Sequence, residues 1–205
     1  MIKEVEIKTN GGPEIILWKD CELEKLKPGQ VTIEHTFVGL NFIDTYHRSG
    51  LYPLTLPTKL GMEGAGVVVD KFSDVNEYEI GDRVAYVMAL GSYSTKRNIE
   101  ADKLVRIPEP ISDQQAAAVL LKGMTVEYLV ERLFKVNNTH TVLFHAVAGG
   151  VGLLACQWLK HLGAKIIGTA GTEEKAIIAK QNGCDEVILY KNENFVEKVK
   201  YLTND

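Results

Sequence analysis

The chain has 205 residues, which at about 150 residues per domain allows one or two domains. It is 45% hydrophobic and 24% charged, enough apolar material for a real core and too much for a disordered chain. Twenty-three Lys and Arg against 27 Asp and Glu leave a formal charge of -4 without a basic stripe, which argues against nucleic acid as a partner. No segment approaches the roughly 20 apolar residues of a membrane helix. Residues 1–8 alternate charged and apolar side chains, as a strand does and a signal peptide does not. Cys21, Cys156 and Cys184 are dispersed and form no C-x-x-C pair. They predict inert thiols in a reducing, cytoplasmic compartment.

In chain order, residues 2–8, 15–19 and 31–38 are β-rich, broken by Gly11-Gly12-Pro13 and Lys27-Pro28-Gly29. Residues 64–71 and 83–87 continue the pattern around Gly81-Asp82, with weaker strands at 93–99 and 103–107. Many short strands with Gly/Pro turns predict a small barrel or sandwich. The character changes near Pro108 and Pro110. Ser112 followed by Gln115 is a capping-box pattern leading into Ala116-Ala117-Ala118. Residues 123–136 place Met124, Leu129, Leu133 and Val136 roughly on one helical face. Strands at 141–145, 165–169 and 186–190 then alternate with helices at 150–161, 173–181 and 193–201, the last capped by Asn192. That order predicts a parallel sheet with right-handed crossovers. The chain therefore reads as α/β, with a β-rich domain over 1–122 and a partial doubly wound sheet over 123–205.

The most informative stretch is His145-Ala146-Val147-Ala148-Gly149-Gly150-Val151-Gly152. It follows an apolar strand and opens a helix, the context in which a glycine fingerprint marks a dinucleotide site. Gly149 and Gly150 let the backbone approach a pyrophosphate. Gly152 lets the helix pack on the strand, and the helix start offers N–H groups to the phosphates. A carboxylate at the end of the second strand would select the ribose hydroxyl of NAD. Here that end reads Ile167-Gly168-Thr169-Ala170-Gly171, and Lys175 follows one helical turn into the next element. The neutral end and the nearby cation favour NADP(H).

The blocks Gly39-Leu40-Asn41-Phe42-Ile43-Asp44-Thr45-Tyr46, Arg48-Ser49-Gly50-Leu51-Tyr52-Pro53, Gly81-Asp82-Arg83-Val84 and Leu121-Lys122-Gly123-Met124-Thr125 span most of the chain with the glycine turn. With them the sequence resembles the quinone oxidoreductases of the medium-chain dehydrogenase/reductase superfamily, the group that includes zeta-crystallin. The resemblance implies a GroES-like catalytic domain joined to a Rossmann domain, with the active site in the cleft between them. It implies NADPH-dependent transfer of hydride to a quinone. Asn41, Tyr46 and Tyr52 would line the site near the nicotinamide. Thr125, Gly149, Gly150, Val151 and Gly152 would hold the cofactor, with Gly171, Lys175 and Tyr190 at the adenosine 2′-phosphate. Val147 stands where that family tends to carry a smaller residue, and its bulk is expected to crowd the phosphates.

The related alcohol dehydrogenases use zinc, and no metal is expected here. By the same resemblance, Asn41 replaces their first cysteine ligand, and Gly61-Met62-Glu63 lacks the histidine of their Gly-His-Glu. Measured against the family, the chain is expected to be C-terminally truncated, with only the first half of the Rossmann sheet. The rival expectation is an inactive fragment, or half of a split enzyme, that keeps nucleotide or partner binding. Strand 141–145 would then be an unpaired edge, open to a second copy in a homodimer or to a complementary C-terminal chain.

Overall fold

A computed structural model describes residues 1–204, which form two compact units, one over Met1–Leu121 and one that begins at Lys122. In the first unit β1 (Ile2–Ile7) buries Val5 and Ile7 against Leu60. It pairs antiparallel with β2 (Leu17–Cys21). A single 3-10 turn over Pro13–Ile15 pushes β2 two residues beyond the expected 15–19. Glu4 is buried on the other face of β1, and ion pairs at 2.6 Å to Lys59 and 3.3 Å to Lys19 keep its carboxyl below the usual carboxylate range against the opposing pull of burial.

The larger sheet begins with β3 (Gln30–Val38). The chain then makes α1 (Phe42–Ser49) and β4 (Thr58–Lys59), which closes the other side of β1. Next come β5 (Glu63–Lys71), β6 (Arg83–Val87), β7 (Lys96–Glu100) and β8 (Val105–Arg106). The sheet order is β7-β3-β5-β6-β8, with the observed pairs antiparallel. Val31, Ile33, Val68, Val84 and Ile99 are fully buried and make its core with Tyr86. The late strands are shorter than expected. Residues 93–95 are outside β7, and a 3-10 turn over Ala101–Lys103 takes the start of the strand expected at 103–107. This is the β-rich domain for which the resemblance implies a GroES-like fold.

The boundary between the units falls in α2 (Asp113–Glu127). Its start is the expected capping box: Gln115 N–H donates to Ser112 Oγ at 3.1 Å, and Ser112 N–H donates to Gln115 Oε1 at 2.9 Å. Ser112→Ala is expected to lower stability by about 1 kcal/mol, read as a shift in the urea midpoint. The helix expected over 123–136 is the end of α2, which widens into a π-turn over Tyr128–Leu133.

The second unit alternates β9 (Thr141–Phe144), α3 (Gly150–His161), β10 (Lys165–Ala170), α4 (Glu173–Gln181), β11 (Glu186–Leu189) and α5 (Phe195–Thr203). Its three strands are parallel in the order β11-β10-β9, the start of a Rossmann sheet. The final helix starts later than expected, because Asn194 and not Asn192 caps it, accepting from Val196 N–H at 3.1 Å. Cys156 and Cys184 share this unit's core. The Cys184 sulfur beside it and burial both push the Cys156 thiol up, which keeps it protonated and unreactive.

Candidate active site

Two groups of site residues form, one in each unit. The first is organised by α1, a helix the strand-based reading did not anticipate. Asn41 is extended, with φ -129° and ψ 150°, and caps it. Its N–H donates to Asp44 Oδ2 at 2.9 Å, and the Tyr93 hydroxyl donates to the same oxygen at 2.7 Å. Burial, and that bond to Asp44, push the Tyr93 phenol up, so it stays a donor. Gly50, at φ +81°, ends the helix.

Tyr46 and Tyr52 come together at the C-terminal end of α1. Their ring centroids are 5.1 Å apart, and Tyr52 N–H donates to the Tyr46 carbonyl at 3.2 Å. Phe42 packs edge-on against Tyr46 at 5.4 Å. Phe42 and Tyr52 are exposed, so the three rings form an aromatic patch with phenol groups on an accessible face. Asn41 is not part of that ring cluster. It is buried, and its Nδ2 donates to Glu63 Oε2 at 2.7 Å. Glu63 has no exposed surface, and its other oxygen accepts from Leu121 N–H at 2.8 Å. Sequence reasoning treated Gly61-Met62-Glu63 only as a motif without its histidine and missed this carboxylate. The distance of 22 residues between the partners left no local signal.

The second group is the turn between β9 and α3. Gly149 caps α3 without a side-chain bond, and the first turn carries no acidic residue. Helix geometry leaves the N–H groups of Gly150, Val151 and Gly152 without intrahelical carbonyls. A Cβ on Gly152 would lie 2.5 Å from the Val147 carbonyl oxygen, so the close packing expected of this glycine is present. Val147 is fully buried, and its side chain fills the space a Cβ on Gly168 would need, at 2.5 Å. Its bulk is taken into the core by the small residue on β10, instead of standing over the turn. Thr125 is half-buried on α2.

At the carboxyl end of β10, Ala170 and Gly171 bring no charge. A Cβ on Gly171 would meet the Tyr190 hydroxyl at 2.8 Å and the Lys191 stem at 3.6 Å. Gly171 and Tyr190 are thus neighbours, and Lys191 joins them, a residue not anticipated. Thr172 caps α4 by accepting from Lys175 N–H at 3.3 Å, which places Lys175 in the first turn with an exposed side chain.

Comparison with known proteins follows the same division. The alcohol dehydrogenase GroES-like domain model matches residues 27–130, and the zinc-binding dehydrogenase model matches residues 150–205. A quinone oxidoreductase of Pseudomonas aeruginosa is 46% identical over 206 residues, covering 100% of this chain and 63% of the relative. The chain belongs to the quinone oxidoreductase family of the medium-chain dehydrogenases/reductases. Another relative of the family fold is a 2-haloacrylate reductase of Burkholderia, 39% identical over 99% of this chain and 63% of its own length. The crystal structure of the Escherichia coli quinone oxidoreductase complexed with NADPH matches with a TM-score of 0.96 at 46% identity, covering 98% of this chain and 63% of that one. The chain thus spans just under two thirds of the length of these family members.

Two groups that the family binds can be tested against these residues. Zinc does not fit. Position 41 offers an amide already bonded to Glu63, position 62 a methionine, and among the described residues no three His, Cys, Asp or Glu side chains are grouped around one point. NADPH fits. The bare N–H groups opening α3 suit a diphosphate, and the Gly171–Tyr190 neighbourhood, free of carboxylate at the strand end, suits a phosphorylated ribose. Among the described residues no helix is long and apolar enough to cross a membrane.

Proposed function

We propose that this chain carries the residues for NADPH-dependent reduction of a quinone without zinc. The observation that supports this most is at position 41, where the zinc dehydrogenases would present a thiolate. Here a buried amide stands instead, held by a carboxylate. NADPH, when bound, supplies the hydride. The first turn of α3 holds the diphosphate through the N–H groups of Gly150, Val151 and Gly152, with Gly149 and Thr125 beside it. Tyr190 and Lys175 meet the 2′-phosphate next to Gly171. Tyr46 and Tyr52 offer flat apolar faces to a planar acceptor and exclude water from it. Asn41 donates a hydrogen bond to the oxygen that gains charge. A quinone needs no Lewis acid, since it already accepts electrons readily.

The direct test is loss of NADPH absorbance when the purified chain meets 1,4-benzoquinone. Turnover well above buffer, with NADPH preferred to NADH, is the expected result. A rate equal to buffer would remove the proposed activity from this chain. Discrimination at the ribose is a separate prediction. Lys175→Ala is expected to weaken 2′,5′-ADP about tenfold and leave 5′-ADP unchanged, because only the former carries the charged 2′ group. Calorimetric titration of both nucleotides checks it, and equal losses for the two would count against Lys175 as the phosphate contact.

A further inference from the structure

We infer that Glu63 is a positioning residue that fixes which end of the Asn41 amide faces an acceptor. The inference rests on the assignment of Asn41 as the group that meets the quinone oxygen. Glu63 opens β5 with no exposed surface. Its Oε2 lies 2.7 Å from Asn41 Nδ2, and its Oε1 lies 2.8 Å from Leu121 N–H in α2. The slot it occupies is cleared by Gly39, where a Cβ would lie 2.2 Å from Oε2 and 2.4 Å from the Ala117 carbonyl oxygen. Gly39 N–H also donates to the Glu63 carbonyl at 3.0 Å, which ties the loop before α1 to the same strand. The carboxylate is therefore built into the site from three directions.

The chemical consequence follows from donor and acceptor types. The two ends of an amide differ, and a carboxylate only accepts. Turning the Asn41 amide by half a turn would set Oδ1 against Oε2, two acceptors at hydrogen-bond distance. The NH2 end is thus held toward Glu63, and the direction of the second hydrogen on Nδ2 is set by the first. The Asn41 backbone is held as well, through its N–H to Asp44. A donor fixed in advance needs no reorganisation as charge develops on a quinone oxygen, which is where such a donor is most effective.

Glu63→Gln tests this at constant volume. Leu121 N–H is a backbone donor and keeps the side-chain oxygen, so the new NH2 faces Asn41 and the Asn41 amide turns over. In a nitrogen–proton correlation spectrum of the full chain, the Asn41 side-chain pair is identified by its loss in Asn41→Asp. Its downfield proton, from the short bond to the carboxylate, is expected to move upfield in Glu63→Gln. The kcat with 1,4-benzoquinone is expected to fall about tenfold or more, with KM for NADPH unchanged. An Asn41 pair that does not move, or one that moves with kcat unchanged, overturns the inference. If the wild-type chain shows no turnover, the functional reading fails, while the amide resonances still decide whether Glu63 orients Asn41. If Glu63→Gln fails to fold, Asn41→Asp combined with it restores a donor–acceptor pair. That double variant is expected to fold without recovering turnover, and recovery would equally overturn the assignment.

Discussion

Gly152→Val is expected to abolish 2′,5′-ADP binding and to lower stability by about 3 kcal/mol. The first atom added is already too close: a Cβ would stand 2.5 Å from the Val147 carbonyl oxygen and 2.6 Å from that of Ala146. Both neighbours are backbone, so no rotamer change relieves the contact. The backbone itself is tied down. Val147 N–H donates to the Thr169 carbonyl at 3.1 Å, and Ala146 N–H donates to Thr169 Oγ1 at 3.3 Å. Ala146 also sits at φ +52°, a conformation an alanine adopts only when its surroundings impose it. Relief therefore requires α3 to move away from β10 or the turn to break its bonds to Thr169. Either change displaces the N–H groups that we propose hold the diphosphate. Urea unfolding followed by circular dichroism reads the stability, and calorimetry reads the binding. An unchanged midpoint with intact binding would show that this contact is not a constraint.

The same turn shows why part of this molecule is legible in its sequence. The glycine pattern, the strand before it and the helix after it are all local, and each is a consequence of backbone geometry. The alternation of β9, α3, β10, α4 and β11 is legible for the same reason, as is the Ser112–Gln115 box, whose two bonds lie within one turn. By contrast, α1 is a short helix of poor intrinsic formers such as Phe42, Ile43 and Thr45. Its start is fixed by Asp44, which Tyr93 reaches across 49 residues of sequence. The aromatic patch inherits that difficulty, because Tyr46 and Tyr52 meet only once Gly50 has turned the chain. Glu63 lies at the far end of the same problem. Its meaning lies in partners distant in sequence, among them the donors of Asn41 and Leu121, 22 and 58 residues away. A motif comparison registers the missing histidine beside it and says nothing about the carboxylate. Val147 makes the converse point. Its size alone argues for crowding at the phosphates, and only its seat against Gly168 shows where the bulk goes.

Acidification is expected to destabilise the fold through His35. Burial, and to a lesser degree the Arg97 guanidinium, lower this imidazole from its ordinary value of 6.5 to about 4, against the opposing effect of its backbone bond to Ser94. The hydrogen bonds explain why the neutral ring is preferred. Nδ1 lies 2.7 Å from the Ser94 carbonyl oxygen, so it carries the proton and donates. Nε2 lies 2.8 Å from the Tyr86 hydroxyl and accepts from it. Arg97 donates to that hydroxyl at 3.3 Å and covers the Tyr86 ring at 5.1 Å. Protonating Nε2 would take from the Tyr86 hydroxyl the acceptor it donates to and would set a second positive charge near the Arg97 guanidinium. The folded state therefore takes up its proton at lower pH than the unfolded state. Well above pH 6.5 neither state is protonated at this site and the effect is absent. As pH falls from there, the unfolded chain binds a proton first, and stability is lost progressively until the folded imidazole also titrates near 4. The full loss is about 3 kcal/mol, at 1.36 kcal/mol per unit. Carboxylates held low in the folded state, such as Glu4 and Asp82, add to the acid loss, so the decisive measurement is a difference. His35→Gln removes the titration while leaving an amide to meet Ser94 and Tyr86. Its urea midpoint should fall less steeply between pH 6.5 and 4 than that of the wild type. Parallel pH profiles for the two proteins would mean that His35 contributes nothing to the acid sensitivity of this sheet.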